Sequence, residues 1–320
     1  LIQTTQAKLI WKSIPQPVRL KLLNNVYCVE CKQMTGVGNI KMTVKGGDLI
    51  INGSCTSCGG NVARLIEVTP DARKKLKAPT TPPAMGNHNP DISGLVSFRS
   101  DTKAADLINS VGKLKMNSFG QWNPNDEFQD SKEVGKLSHP YDKILAIGNR
   151  PAWEMENILP GFDLDSFDCP IGEGIDLMNA GDWDGAVKHM KGLLKMDARC
   201  LDAYAHLGNW YFEQDEPKDH NTAKNYYKTG VAIGMKSMGS KVNDVFPWGL
   251  IDNRPFMRCL HGLGLCFYRQ KMPNEALLIF SKMIWLNPSD NQGARFLVKA
   301  LIEGISWESF QEQESDQVRH

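Results

Sequence analysis

Two cysteine pairs, Cys28-Val29-Glu30-Cys31 and Cys55-Thr56-Ser57-Cys58, are the residues of this chain best suited by type and spacing to chemistry. A C-x-x-C turn sets two soft thiolates side by side, and a second turn completes a tetrahedron around zinc. Twenty-three residues, 32–54, separate the pairs, slightly beyond the spacing of about 15–20 usual for such sites. Two disulfides, or four buried thiols, are the alternatives. Four cysteines leave no ligand position for water, so the expected cofactor is a structural Zn2+ on Cys28, Cys31, Cys55 and Cys58. Eight cysteines in all, four of them in metal spacing, argue for a reducing compartment, and a cytoplasmic location is expected.

Positioning those pairs requires hairpins. Asn39-Ile40-Lys41-Met42-Thr43-Val44, then Lys45-Gly46-Gly47-Asp48, then Leu49-Ile50-Ile51-Asn52 reads as strand, turn and strand. A third strand is predicted over Val62-Ala63-Arg64-Leu65-Ile66-Glu67-Val68, and Gly59-Gly60 supplies the positive φ a knuckle turn needs. Over residues 26–68 this arrangement resembles a zinc ribbon. Ahead of it, Leu9, Ile10, Trp11, Ile14, Val18, Leu20, Leu22 and Leu23 form two short amphipathic stretches separated by Pro15 and Pro17. They are expected to pack on the ribbon; a membrane-surface helix is the competing reading.

From about residue 167 the pattern becomes helical and self-similar. Gly174 with Ala186 marks one helix pair and Tyr204-x-x-Leu207-Gly208-x-x-Tyr211 a second. Leu260-x-x-Leu263-Gly264-x-x-Phe267, with Ala276, Phe280 and Pro288, marks a third. The first two glycines are 34 apart and the next two 56, which calls for insertions near 215–220 and 236–253. Small residues let paired helices approach, and large ones fill the space between pairs. This region resembles a tetratricopeptide-repeat array over 167–304, with a capping helix at 291–303 whose Phe296, Leu297, Ala300 and Leu301 face inward. Some uncharacterised bacterial repeat proteins that it resembles also carry an N-terminal zinc ribbon. The resemblance implies a groove lined by the first helix of each pair. In this sequence that selects Asn209, Phe212 and Glu213, then Arg258, His261, Leu265, Tyr268 and Arg269. These could grip an acidic peptide; packing within the chain competes with that reading.

The fold expected is thus an α+β multidomain chain, with a small N-terminal β zinc ribbon and a C-terminal all-α repeat array. Its parts are 1–68 (helix and ribbon), 69–92 (Pro/Lys-rich linker), 93–166 (a connecting segment without clear periodicity), 167–304 (repeats) and 305–320 (a polar, frayed tail). Within 93–166, a helix is predicted at 102–114, and Trp122 and Trp153 are expected in the core or at a docking face.

Net charge is only +1, but residues 1–80 hold twelve Lys/Arg against four acids. That surplus makes anionic partners feasible, with Arg73, Lys74, Lys75 and Lys77 as candidate phosphate contacts. No run of 18 apolar residues occurs, so no membrane span is expected. Leu1 to Thr5 carry no basic stretch with an apolar core, so no signal peptide is visible there. His189, His206, His220 and His261 lack any neighbouring catalytic motif, and Gly262-Leu263-Gly264 sits inside a helix pattern, not after a strand. Cys259 and Cys266 read as buried thiols. The function expected is non-enzymatic protein interaction or scaffolding, with a protein or peptide partner; the alternative is a nucleic-acid-associated factor.

Overall fold

The computed structural model describes residues 7, 10, 11, 14, 16–45, 48–68, 89–98, 101–124, 147–163, 169–214 and 216–318. They fall into two compact units, 1–83 and 84–320.

The first unit carries helix α1 (Gln16–Leu23) and five strands: β1 (Val26–Cys28), β2 (Gln33–Thr35), β3 (Val37–Lys45), β4 (Asp48–Cys55) and β5 (Asn61–Ile66). β1 and β2 form one antiparallel hairpin, and β3-β4-β5 form an antiparallel sheet. Alternation decides the faces: Met42, Leu49, Ile51 and Val62 turn inward, while Lys41, Lys45 and Leu65 face solvent. Ala7, Ile10, Trp11 and Leu23 join that same core, as expected of the N-terminal stretches. β3 and β4 slip register between Gly38 and Lys41. Gly53 is required there, because a Cβ on it would lie 2.3 Å from the Gly38 carbonyl oxygen.

In the second unit, α2 (Thr102–Ser110) and the antiparallel hairpin β6 (Met116–Trp122) and β7 (Arg150–Met155) precede eight helices. These are α3 (Pro170–Asn179), α4 (Trp183–Met196), α5 (Leu201–Phe212), α6 (Pro217–Met238), α7 (Arg254–Arg269), α8 (Pro273–Leu286), α9 (Ala294–Ile302) and α10 (Trp307–Val318). Asp101 caps α2 and Asp182 caps α4 through their carboxylates, while prolines start α3, α6 and α8. None of the described helices is long and apolar enough to cross a membrane.

Three helix pairs repeat one packing device. A Cβ on Gly174 of α3 would sit 2.6 Å from Met190 of α4. One on Gly208 of α5 would sit 2.4 Å from Tyr227 of α6, and one on Gly264 of α7 would sit 2.6 Å from Phe280 of α8. Each glycine lets a large side chain of the second helix lie against the first helix's backbone. Tyr227 is shared between pairs, since a Cβ on Gly262 of α7 would meet its ring at 2.1 Å. Its hydroxyl donates to Asn209 Oδ1 at 2.6 Å, so the buried ring leaves no polar atom unpaired.

The described parts of the segment without clear periodicity are docked on these helices. Ile92, Val96, Leu114, Trp122, Ala152 and Met155 share one core with α5 to α8. The extra residues between the second and third pairs hold it. Val245 donates to Pro151 O and accepts from Trp153 N, both at 2.9 Å. Fully buried Asn253 accepts from Met155 N and donates to the Trp153 and Pro247 carbonyls. Lys236 closes the end of α2 by donating to Ile108, Asn109 and Val111 carbonyls.

Two expectations change. The stretch after 305 is a helix, with Trp307 8% exposed and stacked with Phe310 against Tyr268, so two aromatics anchor an otherwise polar sequence. Phe296 points outward, 56% exposed beneath the Arg295 guanidinium, because Leu297, Val298 and Leu301 fill the inner face of α9.

Gly262→Ala must displace the buried Tyr227 ring, and overpacking of this kind costs about 1–3 kcal/mol. Gly192 lies inside α4 with open space around its Cα, so Gly192→Ala should be neutral or stabilise by up to about 1 kcal/mol. Urea denaturation of both variants checks the pair. Equal effects would show that the glycine contacts do not govern helix approach.

Candidate metal centre

The hairpin β1–β2 carries the first knuckle between its strands, and β4–β5 carries the second. Their four sulfurs lie within 4.8 Å of one another. Cys28 Sγ is 3.6 Å from Cys58 Sγ, and Cys31 Sγ is 3.9 Å from Cys55 Sγ. A tetrahedron with metal–sulfur bonds of ~2.3 Å has edges of ~3.8 Å, so these separations suit one ion. They are far beyond the ~2.05 Å of a disulfide, and all four thiols are free.

Backbone amides converge on the sulfurs. Cys31 N donates to Cys28 Sγ at 3.4 Å, Ser57 N to Cys55 Sγ at 3.3 Å and Gly60 N to Cys58 Sγ at 3.4 Å. Such bonds favour thiolates. Each knuckle closes on a left-handed residue, Lys32 at φ +54° and Gly59 at φ +77°. Glycine takes this conformation freely, whereas a lysine there costs about 1–2 kcal/mol.

Thr35 was not among the sequence candidates and joins the two knuckles. Its Oγ1 lies 3.2 Å from both Thr56 Oγ1 and Ser57 Oγ and 3.4 Å from Cys55 Sγ. No spacing rule announces such a residue; its mark is a polar side chain 6% exposed at the end of β2. Contact with this hydroxyl, helped by knuckle amides, brings the Cys55 thiol down to about 5. Cys31 is pushed well above the ordinary thiol range, first by Cys58 and then by burial. Four thiolates this close repel one another, and a bound cation removes that conflict.

The structure disperses the predicted groove residues among several contacts. Arg258 pairs with Asp202 on α5, and Arg269 donates to the Phe212 carbonyl at 2.7 Å with its guanidinium over the Phe212 ring. Tyr268 is 3% exposed and donates to Ile305 O at 2.8 Å. His261 packs edge-on to Phe280, and burial lowers it to about 4. Asn209 serves Tyr227, Leu265 is half-buried, and Glu213 is exposed at the end of α5. His206 lies 3.7 Å from Asp202, lowered by burial against that carboxylate's pull. Arg73, Lys74, Lys75 and Lys77 lie outside the described residues.

No protein-family model matches this chain, and no curated protein matches it significantly. Fold and site therefore define its class directly: a β unit bearing a four-cysteine cluster, joined in sequence to a unit of packed helix pairs.

The cluster should bind one metal ion per full-length chain, and Cys55→Ser should remove it, as read by elemental analysis after dialysis. Stoichiometric metal retained by that variant would exclude these sulfurs as the site.

Proposed function

We propose that the four cysteines hold a structural zinc ion within a zinc ribbon, that the helix pairs form a tetratricopeptide-like array, and that the protein is a non-enzymatic interaction or scaffolding protein. Zinc would be held by Cys28, Cys31, Cys55 and Cys58, and it would tie the two knuckles together. A unit this small gains much of its stability from such a bond, since zinc-finger peptides bind zinc with about 10–16 kcal/mol. The all-sulfur set, with no ligand position left for water, supports a structural role over a catalytic one. Free thiols throughout the chain fit a cytoplasmic setting.

The observation that carries the repeat reading is the glycine opposite a large side chain in three successive pairs. Arrays of this kind present their first helices to peptides or protein segments. Here α5 and α7 adjoin through the Asp202–Arg258 ion pair and the Arg269–Phe212 contact. Glu213, Arg258 and Leu265 keep accessible surface along this row. Tyr268 lies beneath α10, so a partner meets it only if that helix moves.

A second reading, nucleic-acid association, draws on the first unit. Its basic surplus includes Lys41 and Lys45 on the outer sheet face, where Leu65 is 56% exposed. The two readings part on one set of measurements with the full chain. Interaction through the helical row predicts that Arg258→Ala and Glu213→Lys lose a captured protein partner, with the exposed Glu213→Lys change keeping native melting. Unchanged capture by both variants would sink that surface. Nucleic-acid association predicts binding to labelled single-stranded RNA or DNA that weakens steeply with salt.

A further inference from the structure

The second unit contains a cavity of about 720 Å³ bounded by residues near 89–93, by β7, by the turn at 242–244 and by α8. Two cations stand in its wall. Lys282 is 1% exposed, and its ammonium donates to Asn89 Oδ1 at 2.5 Å and to the Val242 carbonyl at 2.9 Å. Arg150 is 4% exposed, with its guanidinium carbon 5.1 Å from the Trp122 ring centre and 4.9 Å from that of Trp285. Its Nη1 donates to Trp285 O at 2.9 Å and to Asn243 O at 3.3 Å.

The remaining donors of Arg150, Nε and Nη2, are buried and have no acceptor among the described residues. Buried charged donors normally find partners, because water no longer repays the missing bonds. These two form the edge of a guanidinium that accepts a carboxylate through parallel bonds. Asp91 and Asp244 also line the cavity, but among the described residues neither pairs with Arg150 or Lys282. Asp91 accepts from Ser93 N, and Asp244 accepts from the Trp153 indole at 2.8 Å. Burial brings Arg150 down to about 10 against the pull of Asp244, and Lys282 to about 7 against that of Asp91. Both shifts come first from desolvation, so each cation sits where water does not repay its burial.

We propose that this cavity binds a small organic monocarboxylate, its oxygens taken by the Nε–Nη2 edge of Arg150 with Lys282 beside it, and its apolar body by Trp285, Met235 and Ile147. That edge is covered in the structure, so binding requires the guanidinium to turn toward the cavity and give up its Nη1 bonds to the Trp285 and Asn243 carbonyls. One planar edge, one ammonium and two nearby carboxylates suit a single negative charge better than a dianion. The volume falls within the range of about 300–1,000 Å³ typical of small-molecule sites.

The test titrates the full chain calorimetrically with benzoate, with its uncharged counterpart benzamide, and with inorganic phosphate. Benzoate should bind saturably, one per chain, with benzamide roughly ten- to a hundredfold weaker, the value of a charge-assisted bond. Arg150→Met and Lys282→Met should each weaken benzoate by at least roughly tenfold while folding is retained, since apolar replacement of buried charge is commonly tolerated. Lys282→Met leaves the tryptophan-flanked guanidinium in place, so it serves even if Arg150→Met does not fold. Benzamide equal to benzoate, no saturable benzoate binding, tighter phosphate, or a Lys282→Met variant that titrates like the parent would each overturn the proposal.

Discussion

The helical unit depends on backbones coming closer than any side chain would allow. Gly174, Gly208 and Gly264 each remove the one carbon that would hold two helices apart, and Met190, Tyr227 and Phe280 fill the place. The gain is dispersion contact over a whole ring or thioether, lost if the helices separate by even a fraction of an ångström. The same constraint explains why α6 to α8 bury almost all their apolar residues in one continuous core, while α5 divides its own between that core and a second one with α3 and α4. The β6–β7 hairpin and helix α10 pack against the core that this spacing creates.

Much of this was legible because it was periodic or closely spaced. The cysteine pairs declared their site through local geometry, and the sulfurs do converge. The glycines betrayed the pairs through a 34-residue offset between the first two and the same Leu-Gly setting, an aromatic three residues on, in the second and third. The stretch 93–166 offered no such handle: its described residues at Leu114 and 151–155 are held by Asn253, Val245 and Ser237, which lie far along the chain and have no period. Helix α10 was hidden for a different reason. Trp307 and Phe310 are the aromatics that anchor it, while Glu308, Gln311 and Glu312 make the stretch look solvated in sequence.

Arg150 and Lys282 were opaque for a third reason. Lys282 sits in Ile279-Phe280-Ser281-Lys282-Met283-Ile284, where a lysine reads as the single solvent-facing position of a buried helix. It faces inward because Asn89 and the Val242 carbonyl supply its acceptors. Burial of a charge is decided by distant partners, and sequence neighbours carry no record of them.

Those partners have a consequence for how the chain comes together. Helix pairs contact their sequence neighbours, and proteins built that way usually fold fast. Here Lys282 reaches Asn89 across 193 residues, and Arg150 reaches Trp285 across 135. Closing such spans costs chain entropy before any contact repays it. The helices can form early, but the strand hairpin and the 89–98 segment can settle only after α8 exists to receive them. The second unit is therefore helical in composition but closed by contacts between residues far apart along the chain, with its buried cations at the seam.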